Sequence, residues 1–395
     1  MAKVAVAVVF GGRSAEHEVS ILTAHEAIAV LAAMPAYDVV PIYITKDGRW
    51  LTGEALNDLD KFADPAKLER DCMPLVLRPM SPHPFTAEKA GLFGKAERVT
   101  VDVALPVIHG PNGEDGTLQG TFEMLGVPYA GSGVLASALC MDKVAMKRMF
   151  ASAGLPQVPY VVTDRDRWAA DGRSEAAAVE ALGGGPVFVK PARGGSSIGV
   201  TFVQSAEELA PAVELALTFD DEAVVEVAVT GGDEVNCAVL RTGNEVTAST
   251  LEMVHAKDGF LTFEQKYMEW SKGAPAKGSG KGGLQGHTVP APLPAEVTGR
   301  IQSLAKEAFE VCMCDGVARV DFLVRGEEVY VNEINTLPGS LAFYLWEASG
   351  VPFDELLDRM VRSAMARAAA RRSLLFSLDR NLLAEIEAAK GSKRV

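Results

Sequence analysis

The hydrophobic pattern changes period several times along the chain, and the elements follow from it. Residues 3–10 form an unbroken Val/Ala run ending in Phe10, as expected of a central strand buried on both faces of a parallel sheet. A helical stretch follows, then a second apolar run at 39–44, which makes the start of a βαβ unit. Residues 101–108 predict a third strand. Between them, 47–98 is irregular and proline-rich, and predicts loops, a short helix and an inserted hairpin. Residues 134–151 read as one helix, ended by Gly154 and Pro156. Strands are predicted at 187–191, 223–229 and 235–240. An amphipathic helix is predicted over 296–312, with Ile301, Leu304, Ala305, Ala308 and Phe309 on one stripe. Residues 317–324 and 329–334 alternate and flank a four-residue turn, 325–328, which predicts a hairpin. A helix over 353–370 and a charged amphipathic tail over 371–395 complete the chain.

Chemistry concentrates at the ends of these elements. In the 317–334 hairpin, residues two apart share a face. Arg319 and Asp321 therefore share one face, Glu333 and Asn335 share one face of the partner strand, and folding about the turn sets the pairs opposite each other. Hard oxygen donors of this kind suit Mg2+ held between carboxylates and phosphates; the plain alternative is a hairpin with a solvated charged face. The first strand ends in Gly11-Gly12-Arg13-Ser14, where Ser14 is positioned to cap the next helix and Glu16 and His17 sit at the mouth of the turn. Glycine spacing there is not that of a dinucleotide fingerprint. The third strand runs into an acid-bearing glycine loop, 109–116, at a strand's carboxyl end, where open α/β sheets bind ligands. His109 at its start is either a neutral donor to a bound carboxylate or a structural histidine.

The strand at 187–191 places Lys190 near its end, followed by Arg193-Gly194-Gly195-Ser196-Ser197. Its backbone N–H groups and two hydroxyls are able to close over phosphates, or the hairpin is simply flexible. Glu226 lies inside an apolar strand and needs donors; an adenine amino group is one candidate. Residues 270–287 contain six glycines with Lys272, Lys277 and Lys281 and show no apolar period. A long structureless loop of this kind reads as a lid.

Composition narrows the reading further. With 395 residues the chain has room for two or three domains, and 48% hydrophobic and 23% charged residues describe a globular protein. A formal net charge of −14 argues against a nucleic-acid partner. Five unpatterned cysteines argue against a disulfide framework and fit a reducing cytoplasm. The N-terminal run is too short for a signal peptide, and no run of about 18 apolar residues offers a membrane span.

Six blocks in order carry a resemblance: GGRSAEHEVS at 11–20, HGPNGEDGTLQG at 109–120, GSGVLASALCMDK at 131–143, VKPARGGSSIGV at 189–200, EQKY at 264–267, and ARVDFLV with VNEINTLPGS within 318–340. Together they resemble the D-alanine–D-alanine ligases of the ATP-grasp superfamily. The resemblance implies an α/β (α+β ATP-grasp) fold: an N-terminal Rossmann-like parallel-sheet domain at 1–131, a central ATP-grasp subdomain at 132–226, a C-terminal ATP-grasp subdomain with metal site and lid at 227–370, and a helical tail at 371–395. It implies ATP-dependent joining of two D-alanines through an acyl phosphate, supplying peptidoglycan precursors in the cytoplasm. ATP is the co-substrate, two Mg2+ ions are the cofactors with Mn2+ able to substitute, and a homodimer is expected.

By the same resemblance, Glu16 holds the first D-alanine's ammonium near His109. Ser196 and Tyr267 hydrogen-bond with Glu16, tying the loops shut. Lys143, Lys190 and Ser197 meet the phosphates, Lys266 the γ-phosphate, Glu226 the adenine and Glu234 the ribose, with Asn332 also in the nucleotide site. Asp321, Glu333 and Asn335 hold metal. Arg319 steadies the acyl phosphate and oxyanion, and Gly339 offers a backbone N–H. Three features depart from the family pattern: the glycine/lysine insert at 271–287, Gly194 where an acid is common, and the segment after Gly339. There a serine that meets the second substrate's carboxylate is replaced by Tyr344, or its role passes to Ser340. The same chemistry with another acceptor, D-serine, D-lactate or a different amino acid, is therefore the alternative, with Tyr267 favouring an amine.

Overall fold

The computed structural model describes residues 3–81, 83–88, 97–254, 287–375 and 380–391. Its strands form three sheets. The first is seven-stranded and begins with β1 (Val4–Gly11), α1 (His17–Ala33) and β2 (Tyr37–Ile44). It continues with β3 (Trp50–Thr52), α2 (Pro65–Asp71), β4 (Met73–Leu77), β5 (Phe85–Ala87), β6 (Glu97–Val99) and β7 (Val103–Pro106). The spatial order is β6-β5-β4-β3-β2-β1-β7. Only β2, β1 and β7 run parallel; the strands beyond β2 are antiparallel. The expected parallel sheet is thus a mixed one. Its extension comes from 47–98, where strands of three to five residues are too short to show a period.

Two helical expectations also need correction. Ser14 does not cap α1: its hydroxyl accepts the Glu16 N–H at 3.0 Å, and the helix starts only at His17. The helix expected over 134–151 is two, α4 (Val134–Met141) and α5 (Lys143–Ser152), after α3 (Thr117–Leu125). Asp142 breaks them, because its backbone is extended and its carboxylate accepts the Ala145 N–H at 2.9 Å, capping α5.

The second sheet has the order β10-β9-β11-β8, from β8 (Tyr160–Asp164), β9 (Val187–Pro191), β10 (Thr201–Val203) and β11 (Glu222–Val227). α6 (Arg165–Glu180) and α7 (Ala206–Phe219) supply its cover, with Val189, Val213 and Val225 in the shared core. The third sheet has the order β14-β13-β12-β15-β16. Its strands are β12 (Asp233–Thr242), β13 (Glu245–Val254), β14 (His287–Thr288), β15 (Val317–Arg325) and β16 (Glu328–Asn335). α8 (Ala295–Val311) buries Val297, Ile301, Ala305, Ala308 and Phe309 against it, close to the predicted stripe.

The chain ends with α9 (Phe343–Ala348), α10 (Phe353–Arg371) and the exposed α11 (Leu382–Gly391). α10 turns back to the first sheet: Leu356, Leu357, Met360 and Val361 share one core with Val6, Val8, Phe10 and Leu31. Each such side chain contributes roughly 1.5–3 kcal/mol by burial. This packing holds the third sheet's hairpin beside the carboxyl ends of β1 and β7. No helix among the described residues is long and apolar enough to cross a membrane.

Candidate active site

The site is built where loops from all three sheets meet. After β1, Gly11 and Gly12 take left-handed backbones with φ of 90° and 92°, and a Cβ on Gly11 would stand 2.3 Å from the Ile44 carbonyl. Glycine is therefore required for the turn that delivers Glu16. Glu16 and His17 are buried rather than surface residues. His17 is held by the Gly12 carbonyl at 2.6 Å and the Tyr43 hydroxyl at 2.9 Å. Glu16 lies between two glycine loops. A Cβ on Gly110 would come within 2.4 Å of its carboxylate, and one on Gly195 within 3.3 Å. From the second sheet, the Ser196 hydroxyl donates to Glu16, joining the Gly/Ser loop to the first-sheet turn. Ser196 and Ser197 both have positive φ, at 51° and 60°, a strained conformation of the sort stored at functional sites.

His109 is buried, with Nδ1 3.2 Å from the Leu337 carbonyl and Nε2 3.0 Å from the Thr23 hydroxyl. Only an N–H at Nδ1 satisfies the carbonyl, so Nε2 is the acceptor for Thr23. Burial also lowers the imidazole's pKa, which keeps it neutral. His109 consequently has no N–H left for a substrate carboxylate; it ties the 109–116 loop to the segment after β16. Glu114 from the same loop accepts the Gly110 N–H at 2.8 Å. Burial, reinforced by the charge of Glu16, pushes Glu114 up to about 8, so it is protonated near neutral pH. Ser340 donates its backbone N–H to Thr23 at 3.3 Å. Ser340, Leu341 and Ala342 all adopt left-handed φ, from 48° to 53°, and this turn aims α9 and Tyr344 back at the sheet.

Three lysines flank the nucleotide side. Lys143 donates to the Gly194 carbonyl at 2.7 Å, anchoring the Gly/Ser loop. Lys147, one helical turn later, reaches Glu226 at 2.8 Å, and Lys190 pairs with the other Glu226 oxygen. Burial alone would raise the Glu226 carboxyl, but the Lys190 and Lys147 charges outweigh it and hold it at about 2. Glu226 therefore has lysine partners of its own and does not depend on an adenine amine as its donor.

The hairpin register sets Arg319 opposite Asn335 and Asp321 opposite Glu333, bringing together the two pairs that alternation places on common faces. Arg319 grips Asp321 through two hydrogen bonds of 2.6 and 2.8 Å, and Asn335 donates to Asp321 at 2.8 Å. Burial pushes the Asp321 carboxyl up to about 6 against the opposing pull of Arg319. The register slips after Asp321, because Phe322 pairs with Val331; Asn332 is the extra residue of a β-bulge that turns Glu333 onto the Asp321 face. Glu234, at the start of β12, faces Leu323 and Val254. Gly339 opens the turn that holds Ser340. Lys266, Tyr267 and residues 271–286 of the predicted lid lie outside the described residues.

The register gives no convergence of three His, Cys, Asp or Glu side chains among the described residues. Two opposed carboxylates and an amide carbonyl remain, which is a fitting partial shell for Mg2+, an ion that keeps waters and takes phosphate oxygens for the rest. Sequence reading missed Lys147, Glu114 and Thr23. Lys147 was detectable as the residue four after Lys143 on the same helix face; the others needed the fold.

A Gly/Ser loop tied to the first-sheet turn, with Lys190 on an antiparallel strand and Lys143 and Lys147 on α5, opposite a carboxylate-bearing hairpin, defines an ATP-grasp ligase. Residues 5–132 match the family D-ala D-ala ligase N-terminus and 149–362 match D-ala D-ala ligase C-terminus. The chain belongs to the D-alanine–D-alanine ligase family, whose members are ATP-dependent ligases. It is 41% identical over 388 residues to D-alanine–D-alanine ligase B of Bradyrhizobium diazoefficiens, covering 95% of this chain and 96% of that one. It is 36% identical over 381 residues to the Thermosipho africanus ligase, covering 95% and 97%. Among solved structures, the Coxiella burnetii D-alanine–D-alanine ligase superposes with TM-score 0.75 at 30% identity, covering 94% and 97%. The VanG D-Ala:D-Ser ligase of Enterococcus faecalis also gives 0.75 at 30%, covering 92% and 100%.

Proposed function

We propose that this chain joins two D-alanines at the expense of ATP, and that Glu16, Ser196, Arg319 and the Asp321–Glu333–Asn335 clamp carry the reaction. The observation that supports this best is the Ser196–Glu16 contact, which joins the Gly/Ser loop to the first-sheet turn. Glu16 holds the first D-alanine's ammonium, beside the hydroxyl of Ser196. The first carboxylate then faces the γ-phosphate, which Lys143, Lys190 and Lys266 neutralise. Bound Mg2+ on Asp321, Glu333 and Asn335 would supply further charge neutralisation. Phosphoryl transfer depends mainly on such positioning and charge. Arg319 steadies the acyl phosphate and the later oxyanion, Glu234 and Asn332 contact the nucleotide with Ser197, and loop closure with Tyr267 keeps water from the acyl phosphate.

On this reading the division is 1–131, 132–226, 227–370 and a tail at 371–395, and the enzyme works in the cytoplasm as a homodimer, a state sedimentation would test. A second reading keeps the chemistry and changes the acceptor to D-serine; Tyr344 and Ser340 at the acceptor end, and the likeness to the VanG ligase, favour it. The test is phosphate release from Mg·ATP with single D- and L-amino acids. Release with D-alanine alone supports the first reading. Release only when D-serine is added supports the second, and no release with any amino acid contradicts both.

A further inference from the structure

The Gly/Ser loop leaves β9 through Arg193 and returns to β10 through Gly199, and both of its legs rest on the last residues of α7. Phe219 lies under the return leg: a Cβ on Gly199 would stand 2.6 Å from its ring. Asp220 holds the outgoing leg. Its carboxylate accepts the Arg193 backbone N–H at 2.6 Å and the Arg193 Nε–H at 3.1 Å, and a guanidinium nitrogen of Arg193 bridges Asp220 and Asp221. Neither Asp220 nor Arg193 has a part in the ligase reading.

Asp220 is poorly placed for α7 itself. It caps the carboxyl end of the helix, where the helix dipole disfavours an anion, and its side chain is only 6% exposed. Burial alone would raise its carboxyl, but hydrogen bonds from Arg193 and Asp221 bring it down to about 2, so the group is an anion. What compensates that charge is the loop, not the helix. The loop in turn needs a hold from outside. Ser196 and Ser197 have left-handed backbones, which persist only where surrounding contacts fix them, and Ser196 meets Glu16, 180 residues away in sequence. The other tether at the root runs from Lys143 to the Gly194 carbonyl at 2.7 Å, and the ligase reading gives that lysine to the phosphates. The Arg193–Asp220 grip touches no group that the reading assigns to substrate.

We propose that Asp220 is a positioning residue for the reaction: by gripping Arg193 it fixes the root of the Gly/Ser loop, so that Ser196 meets Glu16 and the loop's N–H groups stay over the nucleotide. The inference rests on the ligase reading and deepens it. Asp220 touches no substrate and acts through Arg193. The grip combines an ion pair with two hydrogen bonds to one carboxylate, and charge-assisted bonds of this kind are the strong ones. Arg193 is 49% exposed, so solvent screens part of the pairing.

The experiment uses the full chain and three variants: Asp220→Asn, which keeps the shape and loses the charge, Arg193→Gln, and the two together. Hydrogen exchange read by mass spectrometry follows the loop without any substrate. Amides of 192–200 exchange faster in each variant, while peptides of β9 and of the first turns of α7 exchange as in the wild type; a general loosening of the helix would speed α7 as well. With D-alanine saturating, the KM for ATP rises about tenfold in each single variant, the low end for losing hydrogen bonds to a charged group, while kcat stays within about threefold. Both residues act through one pair, so the double variant is no worse than either single one. Wild-type exchange of 192–200 in Asp220→Asn, or effects that add in the double variant, overturns the inference and leaves the ligase reading standing. Faster loop exchange with an unchanged KM for ATP also overturns it, because the grip then positions nothing that the reaction uses. A wild type that releases no phosphate with D-alanine or any other amino acid overturns the ligase reading, and the positioning role with it.

Discussion

Glu226 shows how single residues here exchange desolvation against charge. A carboxylate buried this deeply survives only because two lysines meet it. Removing one partner leaves part of that charge uncompensated, so Lys147→Met should destabilise the fold by about 3 kcal/mol in urea denaturation and raise the KM for ATP through a displaced Lys190. A loss under about 0.5 kcal/mol, the scale of an ordinary surface change, would contradict the pairing. The pH dependence has a definite sign. The folded Glu226 carboxyl is held at about 2 against an ordinary 4.5, so its stabilisation is complete above pH 4.5 and is lost as pH falls toward 2. The wild type should lose stability across that window and Lys147→Met should lose less. Glu333→Gln removes one of two opposed carboxylates and should abolish turnover by weakening metal binding; near-normal turnover at saturating Mg2+ would refute that role. Residue identities such as Arg319, Asp321 and Glu333 were legible because alternation fixes faces. His109 was only half legible: its type suggested a donor, but its partners Thr23 and Leu337 lie 86 and 228 residues away in sequence.

At the scale of elements, long runs were readable and short or broken ones were not. β1, β9, β15 and α8 follow from period and length. β3 to β6 were legible only as an inserted hairpin because strands of three to five residues carry no period, and the α4–α5 break escaped because Asp142 is as compatible with a helix exterior as with a cap. The Asn332 bulge was invisible for another reason: a bulge is a property of pairing, and no single strand shows it. Close backbone approaches are equally hidden. Gly316 precedes β15 with φ 62°, and a Cβ there would stand 2.7 Å from the Gly131 Cα, whereas Gly326 in the hairpin turn has the same φ and open space around it. Gly326→Ala should cost about 1 kcal/mol of left-handed strain. Gly316→Ala should cost clearly more, about 3 kcal/mol, since backbone must move as well. Equal costs by urea denaturation would show that the Gly131 contact is not holding the hairpin against the first sheet.

At the scale of the whole molecule, the site exists only where three sheets meet, and α10 sets the first and third together by packing on β1 and α1. The order of the motifs in sequence carried the family; the His109 tether came from packing between segments 228 residues apart, and the mixed first sheet from pairings between short strands that carry no period. The account's central claim is that the first D-alanine's carboxylate is phosphorylated and that the second amine then attacks the acyl carbon, breaking its carbon–oxygen bond so that the former carboxylate oxygen leaves with the phosphate. D-Alanine labelled with 18O in both carboxylate oxygens, incubated with the purified chain and Mg·ATP, tests this directly by mass spectrometry of the released phosphate. The acyl-phosphate route predicts a single labelled oxygen in each phosphate, formed together with D-alanyl-D-alanine. Dipeptide accompanied by unlabelled phosphate would contradict it.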